Sequence, residues 1–144
     1  MTTLAQDKVR NFRSDTPDEF SEIGVEASEI VYEGAAVGDN ASGYAQPLEG
    51  GDVFLGFAYR KADNSAGSAG DVNVKIRNRG VVQLDVTGVA DTDDVGETVY
   101  ATDDDTFTLT ASGGTAIGKI LQYLGTPETT TCLVYFESAT VQSL

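Results

Sequence analysis

Histidine and tryptophan are absent from this 144-residue chain, and cysteine occurs once. Without histidine the chain lacks the usual general base, the Ser-His and Cys-His nucleophile pairs, and the commonest metal ligand. A lone Cys132 allows no internal disulfide and no structural zinc site. Between Thr131 and Leu133 it reads as a small buried strand residue, with a reactive thiol as the sharper alternative. Carboxylate pairs can hydrolyse glycosides, but such sites need a cleft, usually with aromatic platforms, and tryptophan is missing. No apolar run approaches the roughly 20 residues that span a bilayer. Met1 to Phe12 has no apolar signal core, so synthesis in the cytoplasm is expected. Basic residues are scarce: 9 Lys and Arg face 23 Asp and Glu, a net charge of −14. Such a surface repels phosphate backbones and anionic membranes, and suits docking onto a basic or mixed surface. The glycine-rich Gly67–Gly70 stretch lacks the Lys-Ser/Thr and the helix of a phosphate-cradling loop. Neither enzymatic activity nor a cofactor is expected.

What the chain does have favours sheet. Thr, Val and Tyr are frequent, long Ala/Leu/Glu/Lys blocks are missing, and 16 Gly against 3 Pro favour tight turns. The length suits one domain with a real core. Residues 1–22 read as an N-terminal arm and 23–144 as a single β domain. In the arm, Pro17 interrupts regular structure, and Lys8, Arg10 and Arg13 gather three of the nine basic residues. One reading is a frayed terminus. The other is an arm that orders by laying Val9, Phe12 and Phe20 on a neighbouring subunit.

Ile23, Val25 and Ala27 alternate with Gly24, Glu26 and Ser28, the period of a strand. Gly34 to Gly43 reads as a turn-rich connection, and Tyr44 to Leu48 as a short extended piece. Val53, Leu55, Phe57 and Tyr59 share one face of the next strand and Phe54, Gly56 and Ala58 the other. A strand apolar on both faces is central or part of a barrel, and Gly56 leaves room for a bulge or a close backbone approach. Lys61 to Asp71 is small and polar and reads as a mobile loop without a core anchor. Residues 72–86 read as a hairpin turning at Asn78-Arg79-Gly80, with Lys75, Arg77 and Arg79 as a basic ridge. That ridge is either an ordinary solvated face or a docking stripe.

Two acidic clusters, Asp91 to Asp94 and Asp103 to Asp105, lack the spacing of an EF-hand loop. They read as solvated turns. Asp93, Asp94, Asp103, Asp104 and Asp105 are the candidates for a cation site, should the two turns be neighbours. A faint echo relates 23–86 to 95–138: Val31-Tyr32, Gly50-Gly51 and Gly56 mirror Val99-Tyr100, Gly113-Gly114 and Gly118.

The clearest order of strands and turns runs from Val95 to Ser138. Gly96-Glu97-Thr98-Val99-Tyr100 leads into an Asp-rich turn, and Phe107 and Leu109 alternate with threonines. Ile117-Gly118-Lys119-Ile120 and Leu133-Val134-Tyr135-Phe136 follow. This order resembles the capsid decoration (cement) proteins of tailed phages. That family has a Gly-Asp-x-Val-Tyr step, an Ile-Gly-x-apolar step and a closing Val-Arg-apolar strand. Glu97 stands where the family often has Asp, and Tyr135 where it often has Arg.

The resemblance covers the last third well and the middle loosely. It implies a virion protein that binds the outer surface of the mature head, with the major capsid protein and copies of itself, commonly in trimers, as partners. On that reading Lys8, Val9, Arg10, Phe12, Arg13 and Phe20 make the capsid or inter-protomer contacts, and truncating the arm abolishes binding while the domain stays folded. The alternative is a carbohydrate- or receptor-binding β module of a fibre or adhesin. In either case the expected fold is all-β, a small barrel or sandwich of roughly seven to ten short antiparallel strands.

Overall fold

The computed structural model describes residues 4–13 and 20–139. Strands account for 49% of the described residues and no α-helix occurs among them, so the fold is all-β as its composition implies. The strands in order are β1 (Phe20–Gly24), β2 (Ile30–Val31), β3 (Ala36–Asp39), β4 (Gln46–Pro47), β5 (Val53–Ala58) and β6 (Ala62–Asp63). They continue as β7 (Asn73–Arg77), β8 (Arg79–Thr87), β9 (Thr98–Asp103), β10 (Thr106–Thr108), β11 (Thr115–Tyr123) and β12 (Thr131–Glu137). A 3-10 turn, Thr92–Asp94, precedes β9. The count exceeds the expected range because several strands are only two or three residues long.

The strands form two bodies of different kind. An open antiparallel sheet has the order β1-β7-β5-β3-β4, and β8 to β12 close a five-stranded barrel in the order β10-β8-β12-β11-β9. The closing pair is parallel, with Phe107 opposite Val86. A small ribbon joins Ile30 to Asp63 and Val31 to Ala62. Residues 20–87 thus supply the sheet and one barrel strand, and 98–137 the other four barrel strands.

Each body has its own core, and β5 belongs to both. The barrel core gathers Val82, Leu84, Val86, Val99, Phe107, Ile117, Val134 and Phe136, and Phe54 and Phe57 of β5 join it. The second core lies on the other face of the sheet and includes Val25, Val31, Val37, Leu55, Ala58, Val74 and Ile76. Strict alternation would separate Phe54 from Phe57. A bulge prevents this: Ala36 pairs with Phe57, Val37 with Gly56, and Gly38 with Phe54, so Leu55 is the extra residue. The bulge turns two phenylalanines toward the barrel and leaves Leu55 and Ala58 for the second core. Each fully buried side chain of this size contributes about 1.5–3 kcal/mol, so the bulge decides how several kcal/mol are shared.

Three expectations change. Gly34 to Gly43 contains β3, whose Ala36 and Val37 are fully buried. Small residues gave that strand no alternating pattern; it forms because two neighbours sandwich it. Residues 72–86 are not a hairpin. β7 pairs with β1 and β5, whereas β8 pairs with β12 and β10, so Asn78 is a corner between the two bodies. Its buried side chain donates to Ser21 Oγ at 3.0 Å. Both strands have the same period, and only the location of the two cores separates them.

The third change is the loop from Lys61 to Asp71, which is anchored. Asn64 is buried, and its Nδ2 donates to the backbone oxygens of Val25, Glu26 and Ser68 at 3.1, 3.1 and 2.9 Å. Gly67 must be glycine there, since a Cβ would stand 2.1 Å from Asn64 Oδ1. Asn64→Ala is expected to cost about 1–3 kcal/mol, because three carbonyls lose their donor. Hydrogen exchange of residues 65–71 should accelerate while the barrel amides stay protected; uniform acceleration would show that the loop and barrel open together.

Candidate interaction surface

The described part of the arm is a strap on its own domain. Leu4 is buried in the second core. Lys8 N donates to Glu33 O at 2.8 Å, Gln83 N to Asn11 O at 3.0 Å, and Arg13 N to Val81 O at 2.7 Å. Phe12 bridges to Val82 and packs edge-on against Phe57 and Phe136, with centroids 6.1 and 6.0 Å apart. The strap occupies the part of β8 that β10 does not reach, since β10 pairs only with Val86 and Thr87.

Arg10 is the strap's buried charge, its side chain only 4% exposed. Its guanidinium lies 5.4 Å from the Phe57 centroid and 5.3 Å from that of Phe107, and pairs with Asp105 at 2.8 Å. Burial pulls its pKa below the ordinary range, and the hydrogen bond and charge of Asp105 oppose that fall. Lys8 Nζ also reaches Asp105, at 3.0 Å. The arm's positive charge is therefore directed at the chain's own acidic turn.

Of the six arm residues singled out for contact with a neighbour, Lys8, Arg10 and Phe12 make these internal contacts, and Arg13 approaches Gln83 at 3.5 Å. Val9 is 84% exposed and Phe20 is 42% exposed. Phe20 opens β1 and is part of the sheet, so the strand begins inside the stretch assigned to the arm. Pro17 lies outside the described residues.

Phe20 belongs to a surface group that sequence order scatters. In register, Phe20 stands opposite Arg77 on β7, and Arg77 stands opposite Phe57 on β5. Just beyond β5, Tyr59 N donates to Lys75 O at 2.8 Å. This brings the Phe20 and Tyr59 rings together edge-on, 5.1 Å between centroids. Lys75 Nζ lies 4.7 Å from the Phe20 centroid and 5.2 Å from that of Tyr59. Arg77 lies over Phe12 at 4.3 Å and over Tyr59 at 4.9 Å, and Arg60 lies 5.4 Å from the Tyr59 centroid. Partial burial lowers the pKa of Arg77. A small hollow of about 130 Å³ beside it is lined by Lys8, Val9, Tyr59 and Arg77 among others. Arg79, the third residue of the expected ridge, is elsewhere: it begins β8, opposite Glu137. Tyr59-Arg60 stood in the sequence as an aromatic-cation pair, but only the β5–β7 register sets it beside Lys75.

The acidic turns serve the backbone. Asp91 Oδ1 accepts from Asp93 N at 2.9 Å, and Asp94 Oδ2 accepts from Ala90 N at 2.8 Å, capping the 3-10 turn. Asp103 Oδ1 accepts from Asp105 N at 2.9 Å. Asp104 is fully buried rather than solvated, and its backbone oxygen accepts from Ala36 N. Among the described residues no group of three or more His, Cys, Asp or Glu converges as a metal site requires. Among them, too, no helix is long and apolar enough to cross a membrane.

Cys132 is a buried strand residue of the barrel core, as its flanking residues suggested. Its Sγ lies 3.7 Å from Leu84 O. Burial first, then the negative charges of Asp85 and Asp94, push its pKa from 9.0 up to about 12. The folded state therefore holds a proton that the unfolded thiol has lost at high pH. The stabilisation is complete below pH 9 and falls by about 1.4 kcal/mol per pH unit between there and about 12. Alkaline unfolding should be shallower in Cys132→Ala than in the parent, and a thiol reagent at pH 8 should label only unfolded protein. Fast labelling of folded protein would contradict this.

No protein-family model matches the chain, and no curated protein is similar enough to count as a relative.

Proposed function

We propose that this chain is a capsid decoration protein of a tailed phage, which binds the outside of the mature head and bridges neighbouring major capsid subunits, acting as a trimer. The observation that carries this reading is the cationic and aromatic face of Phe20, Tyr59, Arg60, Lys75 and Arg77 on an otherwise acidic body. The order of motifs from Gly96 to Phe136 supports it. The work of such a protein is adhesion, so it has no catalytic role here, no cofactor, and neither nucleic acid nor membrane as a partner. A trimer touches several capsid subunits at once, and modest contacts add through effective concentration. The new interface then resists separation of capsomers under the outward pressure of packed DNA. A sheet and a barrel sharing β5 suit that load, because neither can shift without disturbing a packed core.

Arm truncation is a poor test, because it would also remove Phe12 from the barrel core and Arg10 from Asp105. Charge reversal on the exposed face is cleaner. The protein should co-sediment with expanded heads of its own phage and not with unexpanded ones, and Lys75→Glu should weaken binding without changing the circular dichroism spectrum. Failure of the parent protein to bind either form would overturn the assignment.

The carbohydrate-binding alternative has one observation in its favour, the partly exposed Phe20 and Tyr59 pair. Lys75 lies over both rings and Arg77 over Tyr59, which leaves little open aromatic face for a sugar. Specific signals on a glycan array, with no binding to heads, would favour it.

A further inference from the structure

We infer that the β1 edge and the face beside it form a docking groove for an extended acidic segment of a partner protein. The inference rests on the adhesive reading above and names the chemistry of what is gripped. Two independent features meet at this place. The first is an open sheet edge. β1 pairs only with β7, and from Phe20 to Ile23 its outer side has no backbone partner among the described residues. An extended segment can add there as another strand, its main chain satisfying the free N–H and C=O groups.

The second feature is charge. The chain carries −14, yet Arg60, Lys75 and Arg77 converge within 5.5 Å of the Phe20 and Tyr59 rings. One carboxylate, Glu22, stands in register opposite Lys75. Along an added strand every second side chain would point to this face. Carboxylates at those positions would meet the Lys75 ammonium and the Arg60 guanidinium, and the apolar side chains between them would fall on the opposite face, beside Ile23. The Coulomb term at this spot opposes the protein's overall repulsion of acidic partners. Screening beyond roughly 8 Å at physiological salt lets the local term win.

The probe is an eight-residue peptide alternating Glu and Val, titrated into the isotopically labelled full chain, with a Lys–Val peptide of equal length as control. Saturable shifts confined to Phe20–Gly24, Tyr59, Arg60 and Lys75 are expected for the Glu peptide alone. Affinity should fall about tenfold or more in the Arg60→Glu/Lys75→Glu variant, and by less in Arg60→Gln/Lys75→Gln, which guards against a variant that fails to fold. No saturable binding, equal binding of the Lys peptide, or shifts on another face would overturn the inference. So would concentration-dependent self-association that buries these same residues, since the occupant would then be a second copy. Head binding measured in parallel separates the two proposals. Heads bound equally by parent and charge-reversed protein refute the groove alone, and heads bound by neither, with the Glu peptide still bound, refute only the decoration role.

Discussion

Phe57→Ala should cost about 3–5 kcal/mol and lower the melting temperature by roughly 10 °C or more. Phe57 is fully buried and packs against four other rings that belong to the strap, the sheet and the barrel. Its centroid lies 4.9 Å from Phe136 of the barrel, 5.8 Å from Phe54, 6.0 Å from Phe107 and 6.1 Å from Phe12 of the strap. It also supports the Arg10 guanidinium from below. Truncation would open a cavity where strap, sheet and barrel meet, and would leave a buried charge with one less neighbour. Phe20→Ala is the contrast, since that ring is 42% exposed and its loss should cost well under half as much. Thermal denaturation of the two variants side by side checks this. Equal losses would show that the strap, sheet and barrel are not joined through Phe57.

Gly56→Ala should be as damaging, for a different reason. Gly56 has φ of +132°, and a Cβ there would stand 2.0 Å from Arg77 O and 2.7 Å from Ile76 Cγ2. Both atoms belong to β7, the strand hydrogen-bonded to β5, so relief requires the sheet itself to part. The variant should lose about 4 kcal/mol or fail to accumulate as folded protein. Gly43→Ala provides the scale: φ is +87° but nothing lies within 4 Å of the added methyl. That variant should lose only the roughly 1–2 kcal/mol of left-handed strain. Chemical denaturation of both would separate the clash from the backbone preference, and equal losses would mean the sheet accommodates the methyl.

Much of this architecture was legible in the chain. The β class followed from frequent Thr, Val and Tyr, β5 from its continuous apolar run, and Gly56 from a glycine placed inside that run. Cys132 was legible because a small apolar side chain between strand residues has little reason to be elsewhere. The acidic turns were readable as turns, but not their destinations. Asp104 is buried and Asp105 holds Arg10 and Lys8, contacts that span more than ninety positions of sequence.

The basic ridge shows the same boundary. Lys75 and Arg77 were visible as alternating residues, yet Tyr59, Arg60 and Phe20 join them only through the β1–β7–β5 register. Period alone also cannot distinguish a hairpin from a corner, and so β7 and β8 looked like partners. Composition and spacing by themselves determined that the chain makes sheet, where it can bend, and that it carries a strongly acidic surface. Those properties depend on each residue and its near neighbours. Which strands pair, which core receives each face of β5, and where the few cations converge were decided by the tertiary structure. Pairing and burial are settled by contacts between distant segments, and only the packing of the two cores selects among patterns that are locally equivalent.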